Sequence, residues 1–216
     1  ALWDALSPRK MIRAVDDRLD GNIAFLTVEE VEASFNPRMA LHRTYRYRLE
    51  AMEFWVEPQH EAFRRWLDLF VGTYDARNFA RLEEGKNPIR TVLETKPWMD
   101  GERLIGFEVT GEAFLWNQVR RMANALFRLA VGELDENEIR EAIEQPMVPV
   151  DFGVAPPEWL VLWGVAWERA PLPEESHSTF FSAPPTGRTA ERTRNGRWRQ
   201  AAQHELKSML YNEWAE

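Results

Sequence analysis

Seven consecutive residues, Arg43-Thr44-Tyr45-Arg46-Tyr47-Arg48-Leu49, carry the densest chemistry in this chain. Their strict alternation is that of a strand, with Arg43, Tyr45, Tyr47 and Leu49 on one face and Thr44, Arg46 and Arg48 on the other. Aromatic rings interleaved with guanidinium groups can stack on nucleobases and hold phosphates together. Pro37 to Leu49 holds four arginines and no acid, although the whole chain has a net charge of −8. The same pattern also fits an amphipathic strand with one wet face. A second stretch, Phe114-Leu115-Trp116-Asn117-Gln118-Val119-Arg120-Arg121-Met122, sets an arginine at the edge of an apolar helical stripe of Leu115, Val119, Met122, Leu126 and Leu129. An arginine there is costly to desolvate unless a carboxylate or phosphate meets it. The alternative is a snorkelling side chain with its stem buried and its head in water.

The elements that must position these residues alternate between helix and strand. Ser7-Pro8 starts a helix through Met11, Ile12, Val15 and Leu19. Strands are expected over Asn22–Val31 and Thr44–Met52, and Phe54–Pro58 is the best linker. Glu61–Phe70 reads as a helix, and Gly72-Thr73-Tyr74-Asp75 ends it and begins an irregular stretch reaching Asn87-Pro88. Thr91–Trp98 and Arg103–Thr110 form a hairpin through Asp100-Gly101. Helices over Leu115–Val131 and Asn137–Glu144 and a closing strand over Leu160–Trp167 complete the pattern. Residues 171–190 read as a Pro-, Ser- and Thr-rich loop, followed by a helix from about Gly196 to Trp214 docked back onto the main domain. This order predicts an α+β fold, a mostly antiparallel central sheet with helices packed on one face. The divisions expected are 1–53, 54–169 and 170–216.

Composition limits the function classes. A chain of 216 residues with 44% hydrophobic residues can bury a proper core and is neither disordered nor membrane-spanning. With no cysteine, it has no disulfide, thiol catalysis or cysteine metal site, which fits a cytoplasmic setting. His42, His60, His177 and His204 lack ligand spacing, so no metal site is expected. Nor is there a Gly-rich phosphate loop. The acidic total excludes a diffuse polycation, but charge is segregated. Gly132–Glu144 carries six acids against Arg140, Phe114–Val131 carries Arg120, Arg121 and Arg128 with no acid, and Thr186–Arg199 holds five arginines against Glu191. Ala1 opens at the edge of an amphipathic helix with no signal pattern, so further sequence is expected upstream.

The Arg43–Tyr47 and Phe114–Met122 stretches resemble two signature motifs of the tRNA pseudouridine synthase A family. Three flanking blocks match in order. Phe35-Asn36-Pro37-Arg38 is similar to its Phe-x-x-Arg segment. Gly72-Thr73-Tyr74-Asp75, Asn78-Phe79 and Asn87-Pro88-Ile89-Arg90-Thr91 are similar to its Gly-Thr-His-Asp and Asn-Pro-x-Arg-Thr blocks. Pro156-Pro157-Glu158-Trp159-Leu160-Val161-Leu162 is similar to its closing segment. The likeness covers roughly residues 5–168.

The resemblance implies two α+β subdomains sharing a sheet with a basic cleft between them. It implies isomerisation of uridine to pseudouridine in the anticodon stem-loop region of tRNA, without metal or other cofactor, by a homodimer. Tyr45 matches the stacking tyrosine, Arg120 the active-site arginine and Leu160 an apolar pocket wall. Arg43, Arg46, Arg48, Lys86, Arg90 and Arg121 are the candidates for tRNA backbone contact. The family's nucleophile, the aspartate of Arg-Thr-Asp-x-Gly, has no counterpart here and is expected upstream of Ala1. Asp75 reads as a turn or cap residue, and Asp16-Asp17 and Asp20-Gly21 as helix and turn. Trp159 stands where the family usually has a small residue, which alters the pocket mouth. A non-catalytic RNA-binding module of the same fold is the alternative.

Overall fold

The computed structural model describes residues 7–16, 28–168, 201, 203 and 204. One compact unit runs from Asn36 through the last of the continuous residues, and the described residues outside it belong to a second. In that second unit, α1 spans Pro8–Asp16, with Ser7 accepting the Lys10 and Met11 amides as expected of its start signal. Residues 28–31, the end of the strand expected over Asn22–Val31, are not in a strand. Ala201, Gln203 and His204 are helical. The rest of the expected strand, the loop over 171–190 and the remainder of the C-terminal helix lie outside the described residues.

The unit from Asn36 is built on β1 (His42–Arg48), α2 (His60–Asp68), β2 (Gly72–Asp75), β3 (Ile89–Asp100), β4 (Arg103–Gly111), α3 (Gln118–Ala130), α4 (Glu136–Glu144) and β5 (Leu160–Ala166). Its sheet has the order β2-β3-β4-β1-β5, and every pairing is antiparallel. Sequence neighbours β3 and β4 join through a two-residue turn, with Asp100 opposite Arg103 and Gly101 at φ 61°. Glycine enters that left-handed region without steric cost. β1 is an interior strand, between β4 and β5, because the chain returns to pair with it twice from far along the sequence.

The pleat divides the sheet into two faces. Tyr47 and Phe107 face each other across β1 and β4 and stack at 6.3 Å. They share a core with Phe63 and Leu67 of α2, Val119, Met122 and Leu126 of α3, and Ile139 of α4. Burying each of these apolar side chains stabilises the fold by about 1.5–3 kcal/mol. The opposite face carries Arg46, Glu108 and Trp163, where the guanidinium bonds the carboxylate at 2.8 Å and lies 3.9 Å from the indole centroid. α4 opens with a capping box, the Asp135 side chain taking the Asn137 and Glu138 amides while Glu138 returns to the Asp135 amide.

Three expected elements differ in physically informative ways. The strand expected over Thr44–Met52 begins at His42 and stops at Arg48, where Leu49–Ala51 closes into a 3₁₀ turn that buries Leu49. Gly72–Asp75, expected to be irregular, is an edge strand whose ladder to Val92–Ile89 supplies pairing its short polar sequence does not advertise. The helix expected from Leu115 starts at Gln118, because Asn117 adopts φ 63°, a left-handed conformation that no helix residue can hold. Among the described residues no helix is long and apolar enough to cross a membrane.

Candidate active site

Three segments converge on the helix-covered face of β1. Tyr45 lies opposite Val109 on one side and Leu162 on the other, and Tyr47 opposite Phe107 and Leu160. The two tyrosines share a face, as their spacing requires, but their environments differ. Tyr47 is fully buried, and its hydroxyl donates to the Pro156 carbonyl at 2.8 Å. Tyr45 keeps part of its surface, with the Phe114 ring edge-on at 5.4 Å and 89°. That geometry fixes the plane of the Tyr45 ring while leaving it reachable.

Arg120 sits in the first turn of α3, half-buried. Its Nε donates to the Ala155 carbonyl at 2.6 Å and its Nη1 to Asn117 Oδ1 at 3.0 Å. The Ala155 amide donates back to the Arg120 carbonyl at 3.2 Å. Residues 155–160 are thereby tied to α3 through Arg120 and to β1 through Tyr47, which brings Leu160 to the same shelf. No carboxylate among the described residues bonds to Arg120. The buried Tyr47 hydroxyl records the local field. Burial pushes its pKa well above the usual phenol range, the nearby Arg120 charge opposes that rise, and Glu158 adds to it.

The remaining basic candidates are dispersed. Arg43 donates to the Glu112 carbonyl at 2.6 Å and to the Arg38 carbonyl at 2.8 Å, joining the loop before β1 to the end of β4. Arg46 lies on the opposite face, paired with Glu108 and stacked on Trp163. Arg48 points to that face too and bonds Glu50 through Nε at 2.8 Å. Arg121 pairs with Asp151 at 2.6 Å, a carboxylate held below its usual pKa range by the Gly153 amide and then by Arg121 itself. Arg90 donates to the Asn87 and Ile89 carbonyls. Lys86 is exposed in the loop between β2 and β3. The structure thus gathers Tyr45, Arg120 and Leu160 and leaves most of the arginines bound to protein groups.

Asp75 behaves as its turn context predicts. Its carboxylate accepts the Arg77 amide at 3.0 Å and pairs with the Arg77 guanidinium at 2.7 Å. It also stands on β2, three strands away from β1, which excludes it from the shelf. Two contributors escaped the reading of the sequence. Phe114 opens the Phe114–Met122 stretch, but nothing in that stretch marks its contact with Tyr45. Asn117 has a signal only in retrospect, asparagine being among the few residues that tolerate left-handed backbone. Among the described residues no three His, Cys, Asp or Glu side chains cluster as a metal site would require.

Comparison with known proteins points to one family. The family described as tRNA pseudouridine synthase matches residues 67–168, from α2 to the end of β5. The tRNA pseudouridine synthase A of Methanoculleus marisnigri is 37% identical over 175 residues, covering 80% of this chain and 62% of the relative. That of Thermococcus kodakarensis is 37% identical over 147 residues, covering 66% and 51%. That of Methanocorpusculum labreanum is 32% identical over 167 residues, covering 77% and 57%. The chain spans between half and two thirds of the length of these relatives. The chain is thus similar to the tRNA pseudouridine synthase family over residues 67–168 and to synthases of that name over as much as 80% of its own length.

Proposed function

We propose that this chain supplies the tyrosine- and arginine-bearing part of an enzyme that isomerises uridine to pseudouridine in the anticodon stem-loop region of tRNA. The reaction replaces the C1′–N1 bond of uridine by a C1′–C5 bond. N1 gains a proton and the C5 hydrogen leaves to solvent. The uridine must first leave its stack, at a cost of a few kcal/mol that stacking in the pocket offsets. Tyr45 offers that stacking face, Leu160 an apolar wall, and Arg120 a cation for a carboxylate or a backbone phosphate.

One observation carries the reading: Arg120 is held by the Ala155 carbonyl and Asn117 beside the tyrosine strand, with no carboxylate among the described residues bound to it. A covalent step needs a carboxylate nucleophile, and the Arg-Thr-Asp-x-Gly segment that provides it in the family is absent from these 216 residues. The chain alone therefore binds tRNA without turning it over. The same reading makes a second copy of the chain its partner and the cytoplasm its compartment, both supported by family likeness alone.

The test uses a tRNA transcript tritiated at uridine C5. The chain alone binds it with steep salt dependence and releases no tritium. Adding a polypeptide that carries the Arg-Thr-Asp-x-Gly subdomain restores release. Tyr45→Ala weakens binding roughly 5- to 150-fold, the equivalent of one stacked base. Tritium release by the chain alone refutes the missing-nucleophile reading. Binding that never gains turnover on complementation favours the RNA-binding module instead.

A further inference from the structure

Trp116 immediately precedes the left-handed Asn117 at the entrance to α3, and 54% of its surface is exposed. Its neighbour Phe114 turns inward and packs against the core, so the turn sends one aromatic in and the other out. Leaving an indole in water forgoes much of the stabilisation its burial would bring. The exposed ring is nevertheless held in place. The Arg81 guanidinium carbon lies 4.6 Å from the ring centroid, and the Arg81 amide donates to the Trp116 carbonyl at 2.9 Å. One side of the indole is backed by a cation, and more than half of the residue faces solvent. An oriented, half-open indole beside a fixed positive charge matches the needs of an unpaired nucleotide, a π-face for the base and a cation for its phosphate.

The position relative to Tyr45 matters as much as the exposure. Phe114 touches Tyr45 edge-on and lies two residues before Trp116, so the two rings are joined by about 7 Å of chain. We propose that Trp116, backed by Arg81, is a stacking platform for a nucleobase adjacent to the uridine that Tyr45 receives. Extruding one nucleotide leaves its neighbours without a stacking partner, and the platform replaces the lost contact for one of them. Arg81 then faces the phosphate between the two. The proposal rests on the tRNA reading above.

The experiment measures equilibrium binding of the full chain to an anticodon stem-loop RNA and to versions with a single abasic site scanned across the loop. Trp116→Leu is expected to weaken binding to the intact RNA roughly 5- to 150-fold, with Trp116→Phe within about threefold of the wild type. Two abasic positions are expected to weaken wild-type binding by similar factors, the uridine that Tyr45 stacks and a neighbour of it, and the neighbour alone abolishes the Trp116→Leu effect. Arg81→Ala lowers the slope of log K against log salt by about one. If the wild type binds and Trp116→Leu binds equally well, the platform is refuted while the tRNA reading stands. A Trp116→Leu penalty that persists at every abasic position places the indole against protein rather than base, and also refutes it. Should the wild type not bind the RNA at all, both readings fall. The abasic scan on the wild type keeps the test open even if the leucine variant folds poorly, since a loss of affinity at a single abasic position means no stacked neighbour.

Discussion

Replacing Tyr47 by phenylalanine removes a single oxygen from a side chain with no exposed surface. That hydroxyl donates to the Pro156 carbonyl at 2.8 Å, while the ring stacks on Phe107 at 6.3 Å and retains that packing in the variant. The half-buried carbonyl loses its donor, which costs about 1–2 kcal/mol. For a unit of this size the loss corresponds to roughly 3–8 °C in Tm. The pH dependence provides a sharper signature. Burial, opposed by Arg120 and reinforced by Glu158, raises the folded pKa of Tyr47 above its ordinary 10.0. A raised folded pKa means that the contribution is fully present below pH 10.0 and is lost as pH rises beyond it, because there the unfolded chain alone ionises. At about pH 11 the wild type loses about 1.4 kcal/mol through this group, and the phenylalanine variant loses none. The stability gap between the two proteins is therefore largest near neutrality and nearly closed at about pH 11. Urea unfolding followed by near-ultraviolet circular dichroism at both pH values measures it. A gap below about 0.5 kcal/mol at neutral pH refutes the hydrogen-bond argument. A gap that does not narrow at high pH refutes the burial argument. RNA affinity should change less than about twofold in this variant, since a buried ring has no face to offer a base.

Two further perturbations test the frame around the site. A Cβ added at Gly106 would lie 1.9 Å from the Tyr47 carbonyl oxygen, so Gly106→Ala must push β1 and β4 apart. It should cost about 3 kcal/mol or more, and a denaturation difference under about 1 kcal/mol contradicts the close strand approach. Burial tends to raise the Asp75 pKa, but the Arg77 hydrogen bonds and charge outweigh it and hold the carboxyl below its ordinary 3.8. A depressed folded pKa gives a contribution present above 3.8 and lost as pH falls through the folded value. Asp75→Asn should thus lower Tm at neutral pH and approach the wild type as pH falls below the depressed folded value, as scanning calorimetry into acid would reveal. A difference that persists in acid assigns Asp75 a role other than its pairing with Arg77.

The elements around the site were legible in the sequence to different degrees. The β3–β4 hairpin announced itself through Asp100-Gly101 because a tight turn depends on a few local dihedrals. The apolar stripe of α3 was legible for the same reason, since helix periodicity is a local property. The edge strand Gly72–Asp75 was not, because its pairing with Val92–Ile89 is its main reason for being extended. The start of α3 was misplaced by three residues because Asn117 takes a left-handed conformation that sequence permits but does not require.

By itself, the sequence determined the fold class, the likeness to a family and the residue types available for the chemistry. It also placed Tyr45 and Tyr47 on one face of a strand and Arg120 at the rim of a helix. Those are consequences of periods of two and 3.6 residues, and periodicity is written into local order. It did not determine which tyrosine stays accessible, nor which arginines stay uncommitted. Those follow from partners distant in the chain: Pro156 takes the Tyr47 hydroxyl, Ala155 takes Arg120, and Glu108 and Asp151 take Arg46 and Arg121. A charged or polar side chain meets whichever partner the folded backbone brings within about 3 Å, and that depends on strand order and register rather than on its neighbours in sequence.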